Sequence, residues 1–305
     1  MFDRSAIGLL FDGARLRQLR EGIGRDVSAF AVEPGRDPEL LAIVEEPFTT
    51  VPGTRDRLES LEATLLDRDD RRSVFLTVYT EMTGRTIAAI ERGEFADPEW
   101  MRRYLVRFAE YYRRAFEAFE RGPIDEVPDP WIVAFGAAVR GDSLVLQDAL
   151  LGINAHINYD LALTLSDVGL DPNRELKYAD HDRVNGILAR LVSVQRELLA
   201  ERYAPGLSRI GDGLGGLDER WSATALRTAR EASWQTAVVR SGTRWETVET
   251  YTEWLLRRTA TGSAFLLVRP SLSPSAMAVL HDVEADRIDL ERYAREFHDR
   301  CREAF

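Results

Sequence analysis

The chain reads as all-α, a multi-helix bundle or array built around a buried central helix at residues 144–165. Three observations predict this. Apolar residues recur at three- and four-residue spacings through most of the chain, no stretch shows the period-two alternation of a half-buried strand, and Asp-Pro or serine starts stand where the periodic stretches begin. The central stretch, LVLQDALLGINAHINYDLALTL, is apolar almost all the way round, as expected of a helix surrounded by others.

Residues 5–20 carry Ile7, Leu10, Phe11, Leu16 and Leu19 at loosely helical intervals, and Asp37-Pro38 supplies the cap and first turn of a short helix at 37–46. In residues 54–66, Leu58, Leu61, Leu65 and Leu66 share one face of a surface helix. The run DRDDRR at 67–72 interleaves acids with arginines and reads as a solvated turn rather than a magnesium motif. A serine cap at Ser73 opens a core helix to residue 92 that includes Tyr79 and Glu81, the latter either a ligand carboxylate or an exposed acid on the far face. Asp97-Pro98 starts a long helix to residue 121 with a broad aromatic face (Trp100, Tyr104, Phe108, Tyr112, Phe116). Asp129-Pro130 repeats that start ahead of Trp131.

Residues 169–182 read as a polar loop, with Asp180 or Asp182 as N-cap of the helix at 182–199, His181 exposed, and Asn185 on the same side as Asp182. The glycine-rich piece at 206–216 lacks the lysine and strand context of a phosphate loop and reads as a connector. Helices follow at 218–239 and 243–268, with Trp221, Trp234, Trp245 and Trp254 among the candidate core. Arg227, Arg230, Arg257 and Arg258 are available there for ion pairs or an anion-binding lining. Residues 275–302 form a charged helical end on which Phe297, His298 and Cys301 read as peripheral. The implied organisation is an N-terminal extension of short helices and loops (1–53), a helical core domain (54–268) and a charged C-terminal helical segment (269–305).

The central helix carries the chemistry. His156 and Asp160 stand one turn apart on one face; Gln147, Asn154 and Asn158 cluster on roughly the opposite face. Buried amides can tie a neighbouring helix in place, because each donates and accepts at once. Imidazole and carboxylate at this spacing can share a cation, or the acid can orient the imidazole as a general base. The alternative is a histidine merely bonded to an acid within a packed core.

With 305 residues, 45% of them hydrophobic, the chain can bury a large core. No window is long and apolar enough for a membrane span. The single cysteine and the absence of a secretory leader pattern point to the cytoplasm. The net charge is −11 and Lys177 is the only lysine, a composition resembling that of proteins adapted to concentrated salt. It argues against nucleic-acid binding, since no basic stripe with interleaved aromatics occurs.

FLTVYTEMT at 75–83, ADPEWMRRYLVRFAEYY at 96–112, LQDALLGINAHINYDL at 146–161, DHDRVNGIL at 180–188 and REASW at 230–234 stand in order along the chain. Together they resemble the domain of unknown function 5995 family over roughly residues 58–262. The resemblance implies a compact helical protein with a shared site around His156 and Asp160 and no settled reaction. Three functions are open. The first is a metal-dependent, hydrolase-like enzyme in which His156, Asp160 and Asp182, with Glu81 or Glu231, hold one divalent metal ion. The second is a helical cavity for an apolar, lipid-like or isoprenoid-like small molecule, lined by Tyr79, Phe108, Tyr112 and Trp131 with His156, Gln147, Asn154, Asn158 and Asn185 as polar contacts, with cyclase-type chemistry as its enzyme variant. The third is a purely structural role for the buried polar groups.

Overall fold

The computed structural model describes residues 13–32, 35–122, 124–210, 222–242, 246–269 and 272–305. Among them there is no strand, and the architecture is an all-α multi-helix array. In order the helices are α1 (Gly13–Gly22), α2 (Pro38–Val44), α3 (Val51–Asp67), α4 (Ser73–Glu91), α5 (Pro98–Arg121), α6 (Asp129–Arg140), α7 (Val145–Ala155), α8 (Leu161–Val168), α9 (Arg174–Ile210), α10 (Ala223–Ser241), α11 (Glu246–Val268), α12 (Pro274–Arg287) and α13 (Leu290–Ala304). A π turn, His156–Asp160, joins α7 to α8, so the central helix is one rod with a widened turn in its middle.

That rod sits in the middle because it is apolar on every side. α4, α5, α6, α10 and α11 pack around it, and Leu146, Leu151, Leu161 and Leu165 are wholly buried. Close approach is built in at glycines. A Cβ on Gly152 would lie 2.3 Å from the Phe75 ring of α4, and one on Gly262 of α11 would lie 1.8 Å from the Gln18 carbonyl oxygen of α1. Only glycine lets those pairs meet without displacement.

Helix starts follow the local chemistry where a side chain can reach. Asp37 accepts from the Glu39 and Leu40 amides, and Asp97 from the Trp100 amide. Elsewhere packing overrides the local reading. Ser73 does not cap α4, and its hydroxyl is buried without a partner. The 67–72 turn is not simply solvated: Arg72 is buried in ion pairs to Asp70 and Glu120, and Arg71 reaches Asp148. The polar loop expected at 169–182 ends early, because α9 already begins at Arg174. Lys177, buried, donates from Nζ to the Gly169 and Asp171 carbonyls and so closes that turn. Asp180 and Asp182 therefore lie inside α9 and cap nothing there. Asp180 instead accepts the Ala96 and Asp97 amides just before α5, at 2.8 and 2.7 Å.

The C-terminal helices are not peripheral. Phe297 and Cys301 are fully buried and belong to the same apolar core as the central helix. Glu284 of α12 accepts the Val145 amide at the start of α7. His298 of α13 is held between Glu62 and Glu81, at 2.8 and 2.7 Å. Of the other expectations, residues 206–210 of the supposed connector belong to α9, while 211–216, the start of the first helix (5–12), and Trp221 and Trp245 lie outside the described residues.

Candidate functional site

The π turn falls on the motif itself. The Leu161 amide reaches back five residues to the His156 carbonyl, and the wider turn carries His156, Ile157, Tyr159 and Asp160 as buried residues. The Ile157 carbonyl accepts the Ser233 hydroxyl of α10 at 2.8 Å, so a neighbouring helix satisfies a group in the widened turn. Within it, His156 Nδ1 and Asp160 Oδ2 are 2.8 Å apart, and Trp131 Nε1 donates to the same Oδ2 at 2.9 Å.

Burial holds the His156 pKa well below its ordinary value and pushes the Asp160 carboxyl up, with the Trp131 hydrogen bond opposing the latter. The imidazole is therefore neutral. Because Oδ2 already accepts from the indole, we assign the imidazole proton to Nδ1, donating to the same oxygen, which leaves Nε2 as a bare acceptor. Nε2 is buried and has no hydrogen-bond partner. The ring is held face to face with Phe108, centroids 3.5 Å apart and planes at 9°, and meets the edge of Tyr79 at 4.6 Å.

His156 opens on a small cavity of about 30 Å³ between the central helix, α4, α5, α9 and α10, with Phe75, Tyr79, Phe108, Leu188 and Arg230 in its wall. A second void of about 20 Å³ adjoins it, sharing Tyr79, Met82, Phe108 and Arg230 and adding Thr83 and Tyr104. A larger cleft of about 500 Å³ lies on the other side of the central helix, with Asn154 and Asn158 in its lining. Ile153 and Leu226 line both the cleft and the His156 cavity, and so form the partition between them.

A model of a family of unknown function, DUF5995, matches residues 51–270. The chain belongs to that family. The matched span runs from α3 to α11 and contains the His156–Asp160 pair, Trp131 and every wall residue of the two voids; α1, α2, α12 and α13 fall outside it. No curated protein and no solved structure matches the chain.

The DUF5995 core brings some of the expected site residues together and separates others. His156, Asp160, Trp131 and Tyr79 form one cluster. Asp182 does not join it; it faces Arg227 at 3.1 Å and accepts from Asn185 at 2.9 Å, so those two expected residues pair with each other. Glu81 is turned to Arg85 and His298. Among the described residues no three of His, Cys, Asp or Glu converge as a metal shell. With Asp160 committed to Trp131 and His156, the expected set of His156, Asp160, Asp182 and Glu81 does not fit a shared metal ion.

The amides are mostly structural. Gln147 donates to the Leu267 carbonyl at 2.7 Å and accepts the Leu144 amide, while Asn154 donates to the Ala260 carbonyl at 2.9 Å, binding α7 to α11. Asn158 donates to Asn154 and fronts the cleft. His181, expected on the surface, is buried: Tyr104 Oη lies 3.1 Å from its Nδ1, and Arg230 donates to its carbonyl at 2.6 Å. Of the arginines noted as an anion lining, Arg227 pairs with Asp182, Arg257 and Arg258 pair with Asp129, and Arg230 alone enters the cavity wall. Sequence reasoning placed Phe108 in an aromatic cavity wall without its stack on His156, and it missed Thr83 as a site residue. Each lies on a core helix at ordinary spacing, and nothing local distinguishes it from packing.

Proposed function

We propose that the protein is a hydrolase-like enzyme whose general base is His156, acting on a small organic substrate without a metal shell drawn from the expected set. One observation carries the reading: a fully buried Nε2, without a partner, opens on a cavity while Nδ1 is fixed by Asp160. An unpaired buried acceptor costs about 1–3 kcal/mol; His181 Nε2 is unpartnered too but lines neither void, so the adjoining cavity is what sets His156 apart. Asp160 orients the ring and stabilises the imidazolium that forms when Nε2 takes a proton. The cavity beside it has room for one or two waters, since about 10–15 Å³ suffices for one. A water there would lose its proton to Nε2 as it attacks an ester or amide carbonyl, and the imidazolium would return that proton to the leaving group.

The test is turnover of nitrophenyl esters of increasing acyl length by the purified protein and by His156→Gln. Turnover that rises with pH to a plateau, and disappears in the folded variant, supports the reading. If the parent turns over none of them and His156→Gln is less stable than the parent, the histidine is packing only.

The 500 Å³ cleft favours a second reading, capture of an apolar ligand between Leu150, Leu226 and Leu266 with Asn158 as polar contact. Native mass spectrometry of freshly purified protein would detect such a ligand as added mass, and an unliganded spectrum would count against it.

A further inference from the structure

Three arginines are buried among the described residues: Arg72, Arg113 and Arg230. Arg72 has Asp70 and Glu120, and Arg113 has Glu110 and Glu117. Arg230, 1% exposed, forms no ion pair with any described carboxylate. Its hydrogen bonds leave from Nε, to Asn185 Oδ1 at 2.8 Å, and from Nη2, to the His181 carbonyl at 2.6 Å and His181 Nδ1 at 3.3 Å. All three acceptors are neutral. A buried guanidinium without a counter-ion is expensive, and the usual remedy is an acid from the chain. Here the chain supplies none, and the guanidinium lines both voids next to His156.

The hollow has a second unsatisfied group at its far end. Thr83 Oγ1 is buried without a hydrogen-bond partner in the smaller void, as His156 Nε2 is in the larger one. A cation thus stands at the junction, the Thr83 hydroxyl beside the Tyr79 phenol at one end and a bare imidazole nitrogen at the other, with aromatic walls around them. We propose that this hollow takes a small oxyanion-bearing substrate, with its carboxylate or phosphate against Arg230 and the Thr83 hydroxyl and its reacting group toward His156. The inference deepens the reading of His156 as the reacting centre and rests on it for the orientation of the substrate, though not for the anion site itself. A planar guanidinium suits either oxyanion, because it donates two parallel hydrogen bonds. The bare lone pair at Nε2 repels an anion placed directly against it, and that sets the orientation.

The experiment compares sodium propionate, inorganic phosphate and the neutral isostere propionamide at matched ionic strength. Thermal unfolding is followed in the parent, Arg230→Met, Thr83→Val and His156→Gln, and the nitrogen NMR signal of His156 Nε2 in the first three. Propionate or phosphate is expected to raise the unfolding temperature in a saturable way and to move the Nε2 signal, with propionamide doing neither. Arg230→Met should weaken that binding roughly tenfold to a hundredfold and Thr83→Val several-fold. Should Arg230→Met fail to fold, the parent's choice between propionate and propionamide and the Thr83→Val result decide the matter. His156→Gln should keep the anion's thermal effect, so a parent that binds the anion but turns over no ester would count against the base and not against the anion site. Equal effects of propionamide and propionate, an undiminished response in Arg230→Met, or no saturable response to either anion would each overturn the proposal.

Discussion

The imidazole of His156 lies parallel to the Phe108 ring at 3.5 Å, so one face of the histidine is sealed by hydrocarbon and only its edges are available for chemistry. One edge carries Nδ1 and is taken by Asp160; the other carries Nε2 and is left open. The stack therefore does two things at once: it excludes water, which keeps the ring neutral, and it fixes which nitrogen can act.

The dyad is expected to show the neutral Nδ1–H tautomer by nitrogen NMR at neutral pH. Asp160→Ala should destabilise the protein by about 3–5 kcal/mol, because it leaves the Trp131 and His156 donors buried and unpaired. A denaturant titration checks the magnitude. A loss below about 1 kcal/mol would mean that the carboxylate is not needed where it stands.

The histidines shape stability on both sides of pH 6.5, while Asp148, Asp160 and Glu284, whose pKa values burial raises, oppose them on the acid side. His156 and His181 both have pKa values well below the ordinary 6.5, from burial and, for His181, also from Arg230. Below 6.5 these two bind protons in the unfolded chain that they refuse in the folded one, so their contribution to stability falls as pH drops. His298 behaves oppositely. Burial lowers its pKa, but Glu62 and Glu81 outweigh that and raise it to about 9. Its contribution is full below 6.5 and is lost as pH rises toward 9. Unfolding midpoints measured across this range should show the alkaline fall in the parent and a flattened one in His298→Gln. An unchanged alkaline limb would refute the assignment.

Leu226→Ala should join the cleft to the His156 cavity, since Leu226 and Ile153 are the partition between them. The expected cost is about 2–5 kcal/mol, with faster access for any ligand that enters from the cleft. Xenon NMR reads the result directly: the variant should bind xenon more strongly than the parent, and equal binding would show that the space collapses.

Gly262→Ala should loosen α1 from α11, because the new methyl would stand 1.8 Å from the Gln18 carbonyl oxygen. A cost of about 1–3 kcal/mol or more and proteolytic release of the N-terminal segment are expected. Resistance equal to that of the parent would place the helix contact elsewhere.

The sequence alone determined what depends on near neighbours in the chain. Helical periodicity, the Asp37 and Asp97 caps, and the pairing of His156 with Asp160 are all consequences of residues within one or two turns of each other, and helix geometry is the same in any fold. The DUF5995 motifs were legible for the same reason, being contiguous strings. Tertiary structure alone decided where each polar group found its partner. Asp180 reads locally as a cap for its own helix, yet it holds the two amides just before α5, and His298 looks solvent-bound until α3 and α4 bring Glu62 and Glu81 to it. Arg230 and Thr83 arrive at His156 from helices distant in the chain. Which side chains share a hollow is set by how helices cross and how deeply their faces are buried, and that information belongs to the packed core as a whole rather than to any stretch of residues.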